Sequence, residues 1–332
     1  NWLRDGTSIA VLNMPFEGIN GTATDNAWDY SGYGNNGSER QNATWNSTGG
    51  YDGKGAYQFN GNNSFISVKH NQTIVYTGQN FSWSFWMYPT DANGGYIISK
   101  PWNDVGQYNY QIIYTSTLKI NFILRGNVSD EFTTSNAFAR NQWHYVVATA
   151  DSNRNMSVYV DGILQASKIH QIINWTPTGG NPGRNMIIGS LYPYARGWPG
   201  VVTFSFNDTI DEVMLWNRSL SPEQVYALWQ NKTNTIVAQE TTVPENWTVQ
   251  ATPNDGFEDG TMVTSNNVTI LNTKPIVNTL ILNTTNISSN NTNVNLTAYT
   301  TTSDIDNDSV KVIYNWLRDG TSIAVLNMPF EG

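Results

Sequence analysis

Phe81-Ser82-Trp83-Ser84-Phe85-Trp86-Met87-Tyr88 sets apolar Phe81, Trp83, Phe85 and Met87 on one side of an extended chain. A run with this period is a strand with one face in a core, and side chains this large need a second sheet to cover them. The alternation recurs on either side of it. Met156, Val158 and Val160 alternate and run into Asp161-Gly162, a two-residue hairpin turn. Tyr108 to Tyr114 and Leu118 to Leu124 predict another hairpin about Thr115-Ser116-Thr117. Short strands separated by turn residues extend from about Ile9 to Thr235, the pattern of a β-sandwich. One short helix is predicted, with Ser221 as N-cap, Pro222 in the first position, Gln224 completing a capping box, and Val225, Leu228 and Trp229 at helical spacing.

The 332 residues suit about two folded units, and 13% aromatic content supplies a large core. Charged residues are scarce, also 13%, and the net charge of -9 excludes a phosphate-neutralising surface for nucleic acid. The chain has no cysteine, hence no disulfide or thiolate chemistry, and no apolar run long enough to span a membrane. Asn, Ser and Thr supply the missing polarity, with 44 Asn alone.

Residues 315–332 repeat residues 1–18, NWLRDGTSIAVLNMPFEG, letter for letter. The chain therefore reads as one period of 314 residues plus an overlap, a window on tandem repeats or on identical subunits that share a strand. The expected partners are identical units assembled along an axis.

Asp29-Tyr-Ser-Gly-Tyr-Gly-Asn-Asn-Gly37, Gly53-Lys-Gly-Ala-Tyr-Gln-Phe-Asn-Gly61, Phe81-Ser-Trp-Ser-Phe-Trp86, Gln142-Trp-His-Tyr-Val-Val147, Val158-Tyr-Val-Asp-Gly162 and Ile210-Asp-Glu-Val213 before Asn217-Arg-Ser-Leu-Ser221 occur in that order. Together they resemble the laminin G-like branch of the concanavalin A-like lectin and glucanase superfamily, over about two thirds of the chain. The resemblance implies an all-β chain with two facing antiparallel sheets in a jelly roll, and a structural Ca²⁺ near Asp25 or Asp29 and Asp211. Such a superfamily holds both lectins and hydrolases. A retaining glucanase needs two carboxylates about 5 Å apart, and no strand carries acidic residues at alternate positions. Asp211 and Glu212 are adjacent and on a regular strand would point to opposite faces. Of the three histidines, His70, His144 and His170, none stands near a credible acid or nucleophile, and His144 reads as structural beside a core Trp143. The chain is expected not to be an enzyme.

The flanks resemble a different domain. Val277, Leu280 and Leu282, then Val294 and Leu296, then Val310, Val312 and Tyr314 leading to Trp316, resemble the first half of an immunoglobulin-like or polycystic-kidney-type domain. Residues 246–273 resemble the second half. The resulting division is 1–8, a strand of an immunoglobulin-like domain; 9–235, the laminin G-like sandwich; 236–273, the second half of the immunoglobulin-like domain; 274–322, the first half of the next; and 323–332, the first strand of the next sandwich. The sandwich is then an insertion in a loop of an immunoglobulin-like β-sandwich completed across a repeat boundary. The combination resembles archaeal-type surface proteins with tandem repeats.

Twenty N-x-S/T motifs start at Asn20, Asn36, Asn42, Asn46, Asn62, Asn71, Asn80, Asn127, Asn155, Asn174, Asn207, Asn217, Asn231, Asn246, Asn267, Asn283, Asn286, Asn290, Asn295 and Asn307. Random placement at this composition gives roughly eight, so N-glycans are expected on an extracellular, cell-surface protein. Asn155 beside Met156, and Asn295 between Val294 and Leu296, are expected to point outward. Asp304, Asp306 and Asp308 stand at alternate positions of a turn, a spacing that suits Ca²⁺ without the last ligand of an EF-hand. Trp102, Tyr192, Tyr194 and Trp198 are loop aromatics that suit sugar stacking or contacts with a neighbouring unit. The primary reading is a structural repeat of a glycosylated extracellular filament or stalk. The alternative is a carbohydrate-binding adhesin module.

Overall fold

The computed structural model describes residues 1–18, 27–101, 108–175, 183–191, 205–284 and 291–330. They divide into two compact units, Asn1–Thr269 and Ile270–Gly332.

The first unit is a jelly-roll sandwich with a smaller sheet attached. The larger sheet of the sandwich runs, in spatial order, Ile163–Ile169, Asn155–Val160, His144–Ala150, Phe81–Tyr88, Thr209–Trp216, Ala56–Phe59 and Ala43–Asn46, with Ala10–Met14 also paired to Thr209–Trp216. The facing sheet runs Ser129–Thr133, Ile120–Arg125, Tyr108–Tyr114, Gly95–Pro101, Met186–Ile188, Phe65–Val68 and Gly37–Gln41. Within both sheets the strands pair antiparallel.

The predicted alternation is what fills the space between the sheets. Phe81, Trp83, Phe85 and Met87 meet Val146, Ala148 and Leu215 of neighbouring strands, and Tyr110, Ile112, Phe122 and Leu124 come from the facing sheet. Trp83 is fully buried, with the rings of Phe81, Tyr110 and Phe122 at centroid distances of 4.9, 4.9 and 5.2 Å. Ser82 and Ser84, on the other face, are buried as well. The Ser82 hydroxyl donates to Arg218 O (2.8 Å) and accepts from Leu220 N (3.0 Å), while Ser84 accepts from the Trp216 indole (3.1 Å). The serines thus fasten the segment that leads into the helix.

Asp161 (φ 52°) and Gly162 (φ 75°) form the predicted hairpin turn. The helix runs Pro222–Trp229 with Ser221 accepting from Gln224 N. The capping box, however, is not closed by Gln224, whose amide reaches Thr235 O and Val237 N instead. Glu240 replaces it: one carboxylate oxygen accepts from Ser221 N at 2.6 Å and the other pairs with Arg218 at 3.1 Å. Sequence proximity suggested a local partner, but a distant one reaches the same donor.

In the smaller sheet Trp2–Arg4 lies between Asn246–Ala251 and Thr7–Ser8, and Asn246–Ala251 also pairs with Val263–Thr264 and Val268–Thr269. Chain segments more than 240 residues apart are therefore neighbours, Leu3 opposite Thr248 and Arg4 opposite Trp247. Arg218 stacks its guanidinium over Trp247 at 5.4 Å, and Asn254 donates to Gly18 O at 2.6 Å, tying this sheet to the sandwich.

The second unit contains a hairpin of Ile276–Thr284 with Leu296–Ser303 and a smaller one of Leu317–Arg318 with Thr321–Ser322. Among its described residues only Thr284 is buried. Leu280, Ile281, Leu282 and Leu296 are each about 60% exposed. Leu296, which alternation about Asn295 turns inward, is exposed among the described residues.

Candidate functional site

A group of acidic and aromatic side chains gathers on the outer face of the larger sheet. Its base is a defect in the strand Thr209–Trp216, whose pairing with Phe81–Tyr88 shifts register between Asp211 and Met214. Glu212 sits in this bulge at φ 50°, a left-handed conformation that a non-glycine residue adopts at a cost. The bulge overturns the expectation of a regular strand at Asp211-Glu212. Asp211 is buried opposite Trp86, its Oδ1 accepting from Glu212 N (2.8 Å) and its Oδ2 from Tyr51 N (2.9 Å).

The loop carrying Tyr51 is pinned from below. Gly55 N donates to Glu17 Oε2 (3.2 Å), and a Cβ at Gly55 would lie 2.1 Å from Phe16 O, so only glycine fits. The fixed loop lays the Tyr51 ring flat on Trp86, centroids 3.4 Å apart and 10° from parallel. Trp143 meets Tyr51 edge-on at 6.2 Å and Tyr88 at 5.5 Å, while Tyr145 flanks Trp86 at 5.0 Å. Trp143 is half-buried and not a core residue. The result is a rim of half-exposed rings, Tyr51, Tyr88 and Trp143, with exposed Asp52 and Lys54 beside it.

Electrostatics in this group favour protonated acids. Burial, then repulsion from Asp52 and Glu17, outweighs the two backbone hydrogen bonds and pushes Asp211 up to about 8. Glu212 is raised well above the usual carboxylate range by burial and by the neighbouring Asp211, and burial also raises Glu17. Exposed Asp52 offers hydrogen-bond acceptors beside these buried acids, and aromatic rims present flat apolar faces. Together they match the alternating C–H faces and hydroxyls of a sugar.

His144 also departs from expectation. An acid does face it: its Nδ1 lies 2.7 Å from Asp161 Oδ2, and its Nε2 lies 2.9 Å from Ala139 O. Burial lowers its pKa, but the bonds to Asp161 and Ala139 prevail and the net shift is upward. Asp161 Oδ1 accepts from Tyr145 N at 2.9 Å, so the pair ties the hairpin turn to the strand His144–Ala150.

A polar cleft of about 380 Å³ lies elsewhere on this face, lined by Asn80, Thr149, Asp151, Asn155, Ser157 and Tyr159 among others. Asn80 and Asn155 both head N-x-S/T motifs.

The two described residues among the expected Ca²⁺ ligands of the sandwich, Asp29 and Asp211, are engaged by hydrogen bonds. Both Asp29 oxygens are taken, Oδ1 by Asn13 N and Ser31 N, Oδ2 by the Ser31 hydroxyl and Asn35 N, all at 2.8–2.9 Å. Asp29 closes its own loop, Asp211 holds the Tyr51 loop, and Asp25 lies outside the described residues. Asp304, Asp306 and Asp308 do converge, with one oxygen of each within 4.8 Å of the others. Asp304 Oδ1 accepts from Asp306 N (2.9 Å) and Asp308 N (3.3 Å), and its Oδ2 is enclosed without a partner. This donor set fits a hard cation.

Of the sequon asparagines, Asn42, Asn62, Asn80, Asn127, Asn155, Asn174, Asn231, Asn246, Asn267, Asn295 and Asn307 are exposed. Asn36, Asn46, Asn71, Asn207, Asn217 and Asn283 are half-buried, and none of the described ones is buried. Asn20, Asn286 and Asn290 lie outside the described residues, as do Trp102, Tyr192, Tyr194 and Trp198. Glu17, Tyr51, Asp52, Trp86, Tyr145 and Glu212 were not singled out as site residues from the sequence. They come from separate segments, and no local spacing signals their meeting.

No helix among the described residues is long and apolar enough to cross a membrane. No curated protein matches the sequence. Similar solved structures include the binding domain of Paraclostridial Mosquitocidal Protein 1, with 17% identity over 68% of this chain and 53% of that one, at a TM-score of 0.50. The receptor binding domain of botulinum neurotoxin type G has 20% identity over 69% of this chain and 53% of that one, at 0.48. This chain thus spans about half the length of each, and the likeness to the first is one of fold. The family model for laminin G domains of the concanavalin A-like lectin/glucanases superfamily matches residues 60–226, half of the chain, and takes in Trp86, Trp143, Tyr145 and Asp211. The chain belongs to the concanavalin A-like lectin/glucanases superfamily.

Proposed function

We propose that the chain is a non-catalytic carbohydrate-binding module of an extracellular, cell-surface protein. The observation that carries this reading is the rim of Tyr51, Tyr88 and Trp143 beside exposed Asp52, on a sandwich of the lectin superfamily. Aromatic faces supply sugar stacking, and the exposed Asp52 carboxylate supplies a hydroxyl partner. A glycan array of neutral and acidic oligosaccharides tests it. Binding is expected to fall at least tenfold in Trp143→Ala and Tyr51→Ala and to persist in Asn80→Ala. Undiminished binding in both rim variants, or release of reducing sugar that stops in Asp211→Asn, would overturn it.

A second reading, a repeat unit of a glycosylated filament or stalk, is favoured by the identity of residues 1–18 with 315–332. The two are compatible, since a stalk can display a sugar-binding sandwich at each repeat. In this reading residues 1–8 and 246–273 belong to one small β-domain with the sandwich inserted between them, a division supported by the pairing of Trp2–Arg4 with Asn246–Ala251. The sequons carry N-glycans, and the Asp304 turn holds a structural Ca²⁺.

A further inference from the structure

One eighteen-residue sequence has two environments in this protein. Ala10–Met14 is held against Thr209–Trp216, with Leu12 opposite Leu215 and Met14 opposite Val213, and Leu12, Met14 and Phe16 are fully buried. Their counterparts Leu326, Met328 and Phe330 are 75%, 54% and 86% exposed. Exposed apolar segments of this kind are docking or aggregation sites.

The second copy nevertheless already has the local shape of the first. Leu317 pairs with Ser322 and Arg318 with Thr321, as Leu3 does with Ser8 and Arg4 with Thr7. Asp319 and Gly320 turn at φ 51° and 78°, as Asp5 and Gly6 do at 50° and 76°. Ser322 donates to Asn315 and accepts from Ala324 N, repeating the bonds of Ser8 to Asn1 and Ala10. What the second copy lacks is the tertiary partner.

We propose that residues 315–330 are a donor segment for a second copy of this chain and seat there as residues 1–16 seat here. Leu326 then lies opposite Leu215, Met328 opposite Val213, Trp316 opposite Val249 and Leu317 opposite Thr248 of that copy. The inference rests on the repeat-unit reading and specifies its contacts. Identical side chains make identical contacts in the slot, so the choice between the two occupants is set by connectivity alone. Charge agrees as well: Arg4 sits 3.1 Å from Glu245, and Arg318 brings the same cation to the same carboxylate. The uncovered hairpin of Ile276–Thr284 and Leu296–Ser303 precedes the donor and is delivered with it to a small sheet whose Val263 and Val268 are exposed.

Full-length variants test this. Leu326→Asp removes the donor and is expected to stay monomeric with an unchanged melting temperature. Leu12→Asp disables only the occupant from the same chain, and it is expected to remain folded and to sediment as concentration-dependent oligomers. The double variant is expected to lose the sandwich transition and to regain it as a monomer when a free peptide of residues 1–18 is added. Since the chain has no cysteine, register is read in the Leu12→Asp background. Thr248→Cys with Leu317→Cys should give a disulfide-linked ladder on oxidation, and Thr248→Cys with Ser322→Cys should not. A folded, monomeric Leu12→Asp chain, or an unfolded one that the peptide fails to restore, overturns the repeat-unit reading with the inference. Oligomers without the 248–317 crosslink overturn the register and leave assembly standing.

Discussion

Leu12 lies opposite Leu215 in the larger sheet and is fully buried, while Leu326, in the same place of the same sequence, is 75% exposed. Truncating each to alanine should therefore have unequal effects. Leu12→Ala is expected to cost about 2–5 kcal/mol through lost burial and the cavity left behind. Leu326→Ala is expected to stay within about 0.5 kcal/mol of wild type. Urea denaturation of the full chain compares the two, and equal losses would contradict the burial difference.

Stability should fall as pH rises from mildly acid to alkaline. Asp211 keeps its proton to about 8 in the folded state, whereas an unfolded Asp releases it near pH 4. The folded state thus binds the extra proton between these values. This contribution is complete below about pH 4 and is lost as pH passes through about 8. His144, also raised, acts in the same direction from about pH 6.5 upward. Melting temperatures measured from pH 5 to 8.5 should decline in wild type and decline less steeply in Asp211→Asn, where His144 still contributes. That variant should also lose about 1 kcal/mol at pH 5, because an amide has one acceptor for the two N–H donors of Tyr51 and Glu212.

Calcium should bind the Asp304 turn weakly, since three carboxylates with no further acidic ligand give a low-charge, open site. Calorimetry with Ca²⁺ is expected to give a dissociation constant of about 10⁻⁴–10⁻³ M, as in extracellular modules. The heat should vanish in Asp304→Asn/Asp306→Asn and persist in Asp29→Asn. Retention in the first variant would place the ion elsewhere.

Intact mass of the natively produced protein should exceed the 37.1 kDa polypeptide by many glycan units. Asn217 is the expected exception, because its Nδ2 donates to Ser8 O and its Oδ1 is enclosed. Peptide mapping after enzymatic deglycosylation reads each site. Bare asparagine at most of the eleven exposed sequons would defeat the glycoprotein reading.

The sequence by itself determined the strands Phe81–Tyr88 and Tyr108–Tyr114, the Asp161-Gly162 turn, the helix start and the inward set of Phe81, Trp83, Phe85 and Met87, but not the alternation read at Val310, Val312 and Tyr314, which lie in no strand. These depend on period-two burial and on backbone preferences within a few residues. It also displayed the eighteen-residue repeat. Only the tertiary structure decided that Glu240 caps the helix, that Asp161 reaches His144, and that Glu17, Tyr51, Trp86, Trp143 and Asp211 share one face. Each of these needs segments brought together by the sheets, and the bulge at Glu212 reverses the facing that a regular strand would impose. The two copies of NWLRDGTSIAVLNMPFEG put the division most plainly. Local geometry is the same in both because it depends on the residues alone, whereas burial differs because it depends on whether Thr209–Trp216 lies alongside.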